Sequence, residues 1–228
     1  NAPMFTRVRH IAFNTEAERQ LCRSVFGRFL APNSIVGCGI EMAPEAEWGG
    51  VKAKYELPDE YVLYLGRVSK AKVDKLLPYF LRCKAKYGGD AKLVLVGGFE
   101  NEIRKFDSPD ILFTGYVSDE EKTAIVRHAT VMVNPSPMES LSLLMLEGMQ
   151  SRIPLLVNGR SKVMKDHCRL SGAGLWYNNG RDFRKKLHRL LSDPELRRTM
   201  SEKGPAYVRE HYDWEIIIPK LRTLIESI

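Results

Sequence analysis

The chain has 228 residues, 44% of them hydrophobic, enough for one sizeable core or for one core and part of a second, and no apolar run approaches the roughly 20 residues that span a bilayer. A net charge of +7 points to an anionic partner: a phosphate-bearing substrate, a membrane surface or nucleic acid. Nucleic acid is disfavoured, because the sequence shows neither an aromatic-interleaved basic platform nor a recognisable binding motif.

The N-terminal run Asn1-Ala2-Pro3-Met4-Phe5-Thr6-Arg7 has no initiator Met and no signal-peptide apolar block, so a chain cut from something longer is expected. Residues 8–37 read as a strand from Val8 to Phe13, a helix capped by Thr15 with Glu18, and a short strand Ser34-Ile35-Val36. One βαβ piece cannot bury its own sheet face, so it is expected to extend another domain or to dock on this one. Residues 41–57, with Pro44, Gly49 and Gly50 ahead of Pro58, read as a linker.

From residue 58 onward, short β-rich apolar runs alternate with amphipathic helical stretches. This is the mark of a doubly wound α/β domain whose parallel sheet is covered on both faces. The clearest strands are Tyr61–Leu65, Lys92–Val96, Ile111–Phe113, Thr130–Val133 and Ile153–Val157. Helices are expected around 72–87, 119–129 and 141–151, the second opened by a Ser118/Glu121 capping box. Asp193-Pro194 starts a later helix, with proline in the first turn where its missing N–H costs nothing. The basic cluster Arg181, Arg184, Lys185, Lys186, Arg189, Arg197 and Arg198 has helical spacing and reads as a solvated face. Cys22, Cys38, Cys83 and Cys168 are scattered without C-x-x-C spacing, which suits structural thiols in a reducing, cytoplasmic compartment. His167-Cys168 is an isolated pair of potential ligands, and no metal site or cofactor is argued from it.

Three strand-to-helix turns carry the chemistry, since ligands of open parallel sheets bind at the carboxyl ends of strands. In Gly66-Arg67-Val68-Ser69-Lys70-Ala71-Lys72, the glycine permits a sharp turn. Arg67 with Lys70 or Lys72 sets two or three cations beside a helix N-terminus, a cradle for a diphosphate. The turn lacks the G-x-G-x-x-G fingerprint of dinucleotide sites. Gly97-Gly98 would let backbone approach a ligand closely. In the third turn, Glu139 precedes a helix containing Glu147, and eight residues at helical rise span roughly 12 Å, about the reach of a sugar diphosphate with its ribose. One carboxylate would hold sugar hydroxyls and the other ribose hydroxyls. The amides of Leu141, Ser142 and Leu143 and the helix dipole would face the phosphates. Glu147 lies among Leu143, Leu144, Leu146 and Met149, where an unpartnered carboxylate is costly.

The order strand-G-R, V-G-G, F-T-G-Y-V-S-D-E-E, N-P-S-x-x-E and the E-x7-E pair Glu139/Glu147 resembles the C-terminal domain of family-4 retaining glycosyltransferases of the GT-B fold. The resemblance covers residues 58–228, with P-E-L-R-R-T-M and D-W-E matching the tail of such enzymes. Residues 8–40 look like the last strand and helix of their N-terminal domain. It implies an acceptor-side remnant at 1–40, the linker at 41–57, a donor-binding domain at 58–212, and a terminal helix at 213–228 crossing back toward the first domain. Carried over by position, Gly66, Arg67 and Lys72 would hold the donor diphosphate, Glu139 would contact the transferred sugar, and Glu147 the ribose, with the backbone near Val117 meeting the base. The family's Lys-Gly pair is absent here, since Val73 follows Lys72, and the choice between Lys70 and Lys72 stays open. Ser140 and Ser142 stand where glycines are common. The absence of a D-x-D is in keeping with a family that needs no metal. The implied partners are a nucleotide-diphospho-sugar and, through the missing domain, a glycan or lipid-linked acceptor. Peripheral membrane contact and self-association of the fragment remain open, and the fragment alone is expected to be inactive. Rival readings are a nucleotide-sugar epimerase on the same fold and a non-catalytic sugar-nucleotide or membrane-docking module using the basic 181–209 helices.

Overall fold

The computed structural model of the chain describes residues 7–27, 31–100 and 108–227; the Asn1-to-Thr6 stretch lies outside them. A small parallel pair comes first: β1 (Ile11–Phe13) and β2 (Asn33–Ile35), joined through helix α1 (Glu16–Phe26). Thr15 accepts the Glu18 N–H at the start of α1, while Glu18 reaches back to the N–H of Asn14 at 2.7 Å. This pair shares no strand with the main sheet.

Residues 41–57, expected as a linker, carry helix α2 (Trp48–Lys54). The Glu47 carboxylate accepts the N–H groups of both Gly49 and Gly50. Capping thus outweighs the poor helix propensity of two glycines in the first turn.

The main sheet is built from β3 (Tyr61–Leu65), β4 (Lys92–Val96), β5 (Ile111–Gly115), β6 (Val131–Asn134), β7 (Leu155–Asn158) and β8 (Gly174–Tyr177). All pairings are parallel, in the order β5-β4-β3-β6-β7-β8. The doubly wound expectation holds. Tyr61 and Leu63 face one apolar cluster while Val62 and Tyr64 face the other, and all four are buried. Strands covered on both sides read as continuous apolar runs, the pattern that marked β3 and β4 in the sequence.

Helices α3 (Lys70–Val73), α4 (Leu76–Tyr87) and α5 (Asp119–Arg127) follow β3 and β5, then α6 (Leu143–Gln150), α7 (Lys162–Ser171), α8 (Gly180–Ser192), α9 (Pro194–Tyr212) and α10 (Trp214–Glu226) complete the layers. The Ser118/Glu121 capping box forms, and Asp193 caps α9 through the Leu196 N–H. The helix expected at 72–87 is broken into α3 and α4. Three residues of the basic cluster on α8 and α9 are engaged with those helices: Arg197 donates to the carbonyls of Leu190 and Leu191, Lys186 to Asp182, and Arg198 to Glu195 and Glu202. The last helix turns back onto the N-terminal piece. A Cβ on Gly39 would fall 2.2 Å from the Trp214 ring, and one on Gly37 3.1 Å from Ile217, which is fully buried.

Candidate active site

The strand order reverses between β3 and β6, whose neighbours run outward in opposite directions. At such a switch point the following loops diverge and leave a crevice at the carboxyl ends of the strands. A cleft of about 480 Å³ occupies that place, with Gly66, Arg67, Lys72, Glu139, Leu141, Ser142 and Leu143 among its lining residues. The structure thus brings seven of the sequence-chosen positions into one cleft. Lys72 is on it and Lys70 is not. The Lys72 Nζ lies 3.4 Å from Ser136 Oγ, whereas the Lys70 backbone N–H is bonded to Glu100.

The turn after β3 is held from both sides. Tyr64 donates its hydroxyl proton to the Arg67 carbonyl at 2.8 Å, and Val68 donates to the Gly98 carbonyl at 2.9 Å. Gly97 and Gly98, expected to let backbone approach a ligand, have a different physical reason. A Cβ on Gly97, at φ +128°, would lie 2.3 Å from the Gly66 carbonyl oxygen, and one on Gly98 2.5 Å from the Tyr116 ring. Their small size packs one turn against the next. Burial, with a smaller contribution from the Glu139 charge, pushes the Tyr64 hydroxyl up to about 12, so it stays a proton donor.

The third turn is organised by Asn134. Its Oδ1 accepts the Ser136 N–H at 3.0 Å and its Nδ2 donates to Ser142 Oγ at 3.1 Å. Ser142 adopts the left-handed conformation, φ 67°, where glycine is favoured, and serves as N-cap of α6. The helix starts at Leu143 rather than Leu141, so only the second half of the Glu139–Glu147 interval rises helically and the 12 Å span does not carry over. In the first turn of α6 the amides of Met145 and Leu146 donate to the Ser142 carbonyl at 3.0 and 3.3 Å, while Leu143 and Leu144, whose amides precede the helix's own acceptors, border the cleft.

Glu147 and Val117 do not line this cleft. Glu147 is mostly buried on α6: Oε1 is 3.4 Å from the Lys122 ammonium, and Oε2 is buried without a hydrogen-bond partner among the described residues. Burial raises its pKa, against the pull of Lys122.

The sequence reading did not single out Asn14 and Cys38, which also line the cleft, or the Thr15 hydroxyl, which donates to the Ser140 carbonyl at 3.3 Å. Asn14 follows β1 directly, so the strand-end rule applied to β1 would have found it. His167 was also passed over as a site residue. It is buried beneath the loop, its Nδ1 2.9 Å from the Tyr207 hydroxyl, and burial drives its pKa down to about 4 while the Leu141 backbone pulls the other way. Cys168 beside it is a buried thiol, pushed up to about 12 by burial.

Residues 51–207 match the family model described as "Glycosyl transferases group 1". The chain belongs to that family. It is 30% identical over 174 residues to the alpha-D-kanosaminyltransferase of Streptomyces kanamyceticus, covering 70% of this chain and 44% of that protein. In structure it resembles the sucrose-phosphate synthase of Thermosynechococcus elongatus, with a TM-score of 0.81 at 20% identity, covering 99% of this chain and 60% of that one. It also resembles Anabaena HepE solved in complex with UDP and glucose, with a TM-score of 0.79 at 12% identity, covering 100% and 66%. The architecture is therefore the six-stranded parallel sheet of GT-B glycosyltransferases. The chain spans less than half the length of the curated relatives it matches.

Proposed function

We propose that this chain is the donor-binding part of a retaining glycosyltransferase, which transfers a sugar from a nucleotide-diphospho-sugar to a glycan or lipid-linked acceptor. The observation that carries this reading is the convergence of Arg67, Lys72, Glu139 and the first turn of α6 on the switch-point cleft. Two cations and open helix amides suit a diphosphate, and a single carboxylate beside them suits sugar hydroxyls. The similarity to a protein solved with UDP and glucose supports the same reading.

In this scheme Arg67 and Lys72 stabilise the charge that develops on the leaving diphosphate, the larger share of the catalysis this half supplies. Glu139 orients the transferred sugar, and the nucleoside end extends beyond this cleft, its ribose toward Glu147 and its base toward the backbone near Val117. Residues 1–40 are the tail of an acceptor-side domain. Leu21 and Val25 on α1 and Ile218 and Ile225 on α10 are exposed, and the remainder of that domain would cover such apolar surface. The fragment alone is inactive and prone to self-association.

Arg67→Ala tests the diphosphate role. Loss of a charge-assisted contact worth about 1.5–3 kcal/mol weakens nucleoside diphosphate binding about ten- to hundredfold. Affinity for the bare nucleoside stays unchanged by calorimetry. Equal losses for both ligands contradict the assignment. Glu147→Ala should weaken nucleotide-sugar binding to a similar degree, and unchanged affinity in the folded variant removes Glu147 from the site.

A further inference from the structure

On the far side of Lys72 lies a second cleft, of about 390 Å³, at the carboxyl ends of β6, β7 and β8. Lys72, Lys75 and Arg160 line it with Asn158, Asn178 and Tyr79, and Asp74 is its one carboxylate. Neither Lys75 nor Arg160 forms an ion pair among the described residues, although exposed cations elsewhere on the surface, such as Arg127 and Arg198, do. Three cations facing one acid in a concave site concentrate positive potential there.

The walls are fixed independently of any ligand. Asn158 donates from Nδ2 to the Pro135 carbonyl at 2.9 Å and accepts the Arg160 N–H on Oδ1 at 3.1 Å. Gly159 donates to the Tyr177 carbonyl at 2.8 Å. A Cβ on Gly159 would meet Asn178 Oδ1 at 2.8 Å, and one on Gly180 would meet the Tyr79 ring at 2.6 Å. The loops after three strands are thereby locked together, and Arg160 projects from a backbone that has little freedom to move. Lys72 and Pro135 belong to both clefts, so the second continues the first.

We propose that this second cleft binds the anionic substituent, phosphate or carboxylate, of an acidic saccharide substrate. Lys75 and Arg160 hold the charge, the Asn158 and Asn178 amides and the Tyr79 hydroxyl meet sugar oxygens, and the ring reaches past Lys72 toward the donor cleft. A guanidinium pairs with either anion in bidentate fashion, and a flexible ammonium adapts to both. The placement beside the donor rests on the proposed function; the anion site itself does not.

The test is calorimetric titration of the chain with a hexose 6-phosphate, a hexuronate, the neutral hexose and inorganic phosphate, alongside UDP, GDP, ADP and dTDP. At least one acidic sugar should bind more tightly than both the neutral hexose and inorganic phosphate, and which acid it is separates phosphate from carboxylate. The double variant Lys75→Ala/Arg160→Ala should weaken that binding about tenfold or more and leave nucleoside diphosphate affinity within about twofold of the parent. Arg67→Ala should do the reverse. Both replaced side chains lie on the surface, and an unchanged thermal midpoint verifies the fold. Acidic sugar binding that survives the double variant, that is lost equally in Arg67→Ala, or that does not occur at all overturns the proposal. Acidic sugar binding without any nucleotide binding leaves it standing and removes the donor reading instead.

Discussion

Gly97→Ala should cost about 3 kcal/mol or more of folding stability and abolish ligand binding in the switch-point cleft, combining overpacking with backbone strain. The added methyl would stand 2.3 Å from the Gly66 carbonyl oxygen, and residue 97 would sit at φ +128°. Neither partner is a side-chain end free to swing away; both are backbone between central strands β3 and β4. Relief therefore requires the Gly66–Val68 turn to shift, and Arg67 shifts with it. Gly88→Ala supplies the control, because Gly88 also has positive φ but nothing within 4 Å of an added Cβ. That variant reports the backbone strain of a glycine-only conformation, φ 68° and ψ −147°, without a steric contact, about 1–3 kcal/mol. Urea denaturation of the two variants gives the difference. Equal losses would mean that the contact with Gly66 carries no cost.

Acid stability should show the second large effect, through His167. The buried ring is held at about pKa 4, against an ordinary 6.5, chiefly by desolvation. Asp166 and the Leu141 backbone oppose that shift, and His211 adds to it. Between these two values the unfolded chain binds a proton that the native chain refuses. Stability present above pH 6.5 is consequently lost as pH falls toward 4, and the loss levels off below. At 1.36 kcal/mol per unit the whole window is worth about 3 kcal/mol. In His167→Gln the site no longer titrates and an amide remains near the Tyr207 hydroxyl. The difference in unfolding free energy between parent and variant, measured at pH 7, 6, 5 and 4, should shrink progressively in the acid range. Parallel curves would show that the ring does not stay neutral in the folded protein. Because the ring packs beneath Leu141, the same acidification should loosen the third turn, seen as falling nucleotide affinity.

Much of this architecture was legible in the sequence because its local and tertiary signals agree. β3 and β4 stand at the residues where uninterrupted apolar runs placed them, 61–65 and 92–96, since strands covered on both faces leave no polar alternation to blur their ends. The caps at Ser118 and Asp193 were equally plain, each a side chain with a donor three residues on. β8 was not singled out. It is a four-residue edge strand opening with glycine, and Leu175 and Trp176 are only half-buried, so its apolar run is short. The start of α6 was misplaced because Ser142 takes a left-handed conformation that its residue type does not announce. In the cleft, Arg67, Lys72 and Glu139 were legible as charged residues just past apolar strands. Asn14 was within reach of the strand-end rule, directly after β1, but Cys38 lines the cleft, and Thr15 bonds Ser140 across 125 residues, by tertiary placement that local patterning does not announce. His167 supports the loop through Tyr207 and Leu141, which belong to other elements.

The most direct test of the donor reading is a thermal-shift titration of the chain with UDP-, GDP-, ADP- and dTDP-sugars, run with and without a chelator. A ligand that binds only the native state raises the midpoint in proportion to the logarithm of its concentration, about 2.7 kcal/mol of stabilisation at a hundred times Kd. One base should produce that concentration-dependent rise, undiminished by chelator and moved to about ten- to hundredfold higher ligand concentration by Arg67→Ala. No shift with any of the four at millimolar concentration, or a shift that requires divalent metal or is unchanged in Arg67→Ala, would contradict a nucleotide-sugar site in the β3–β6 cleft.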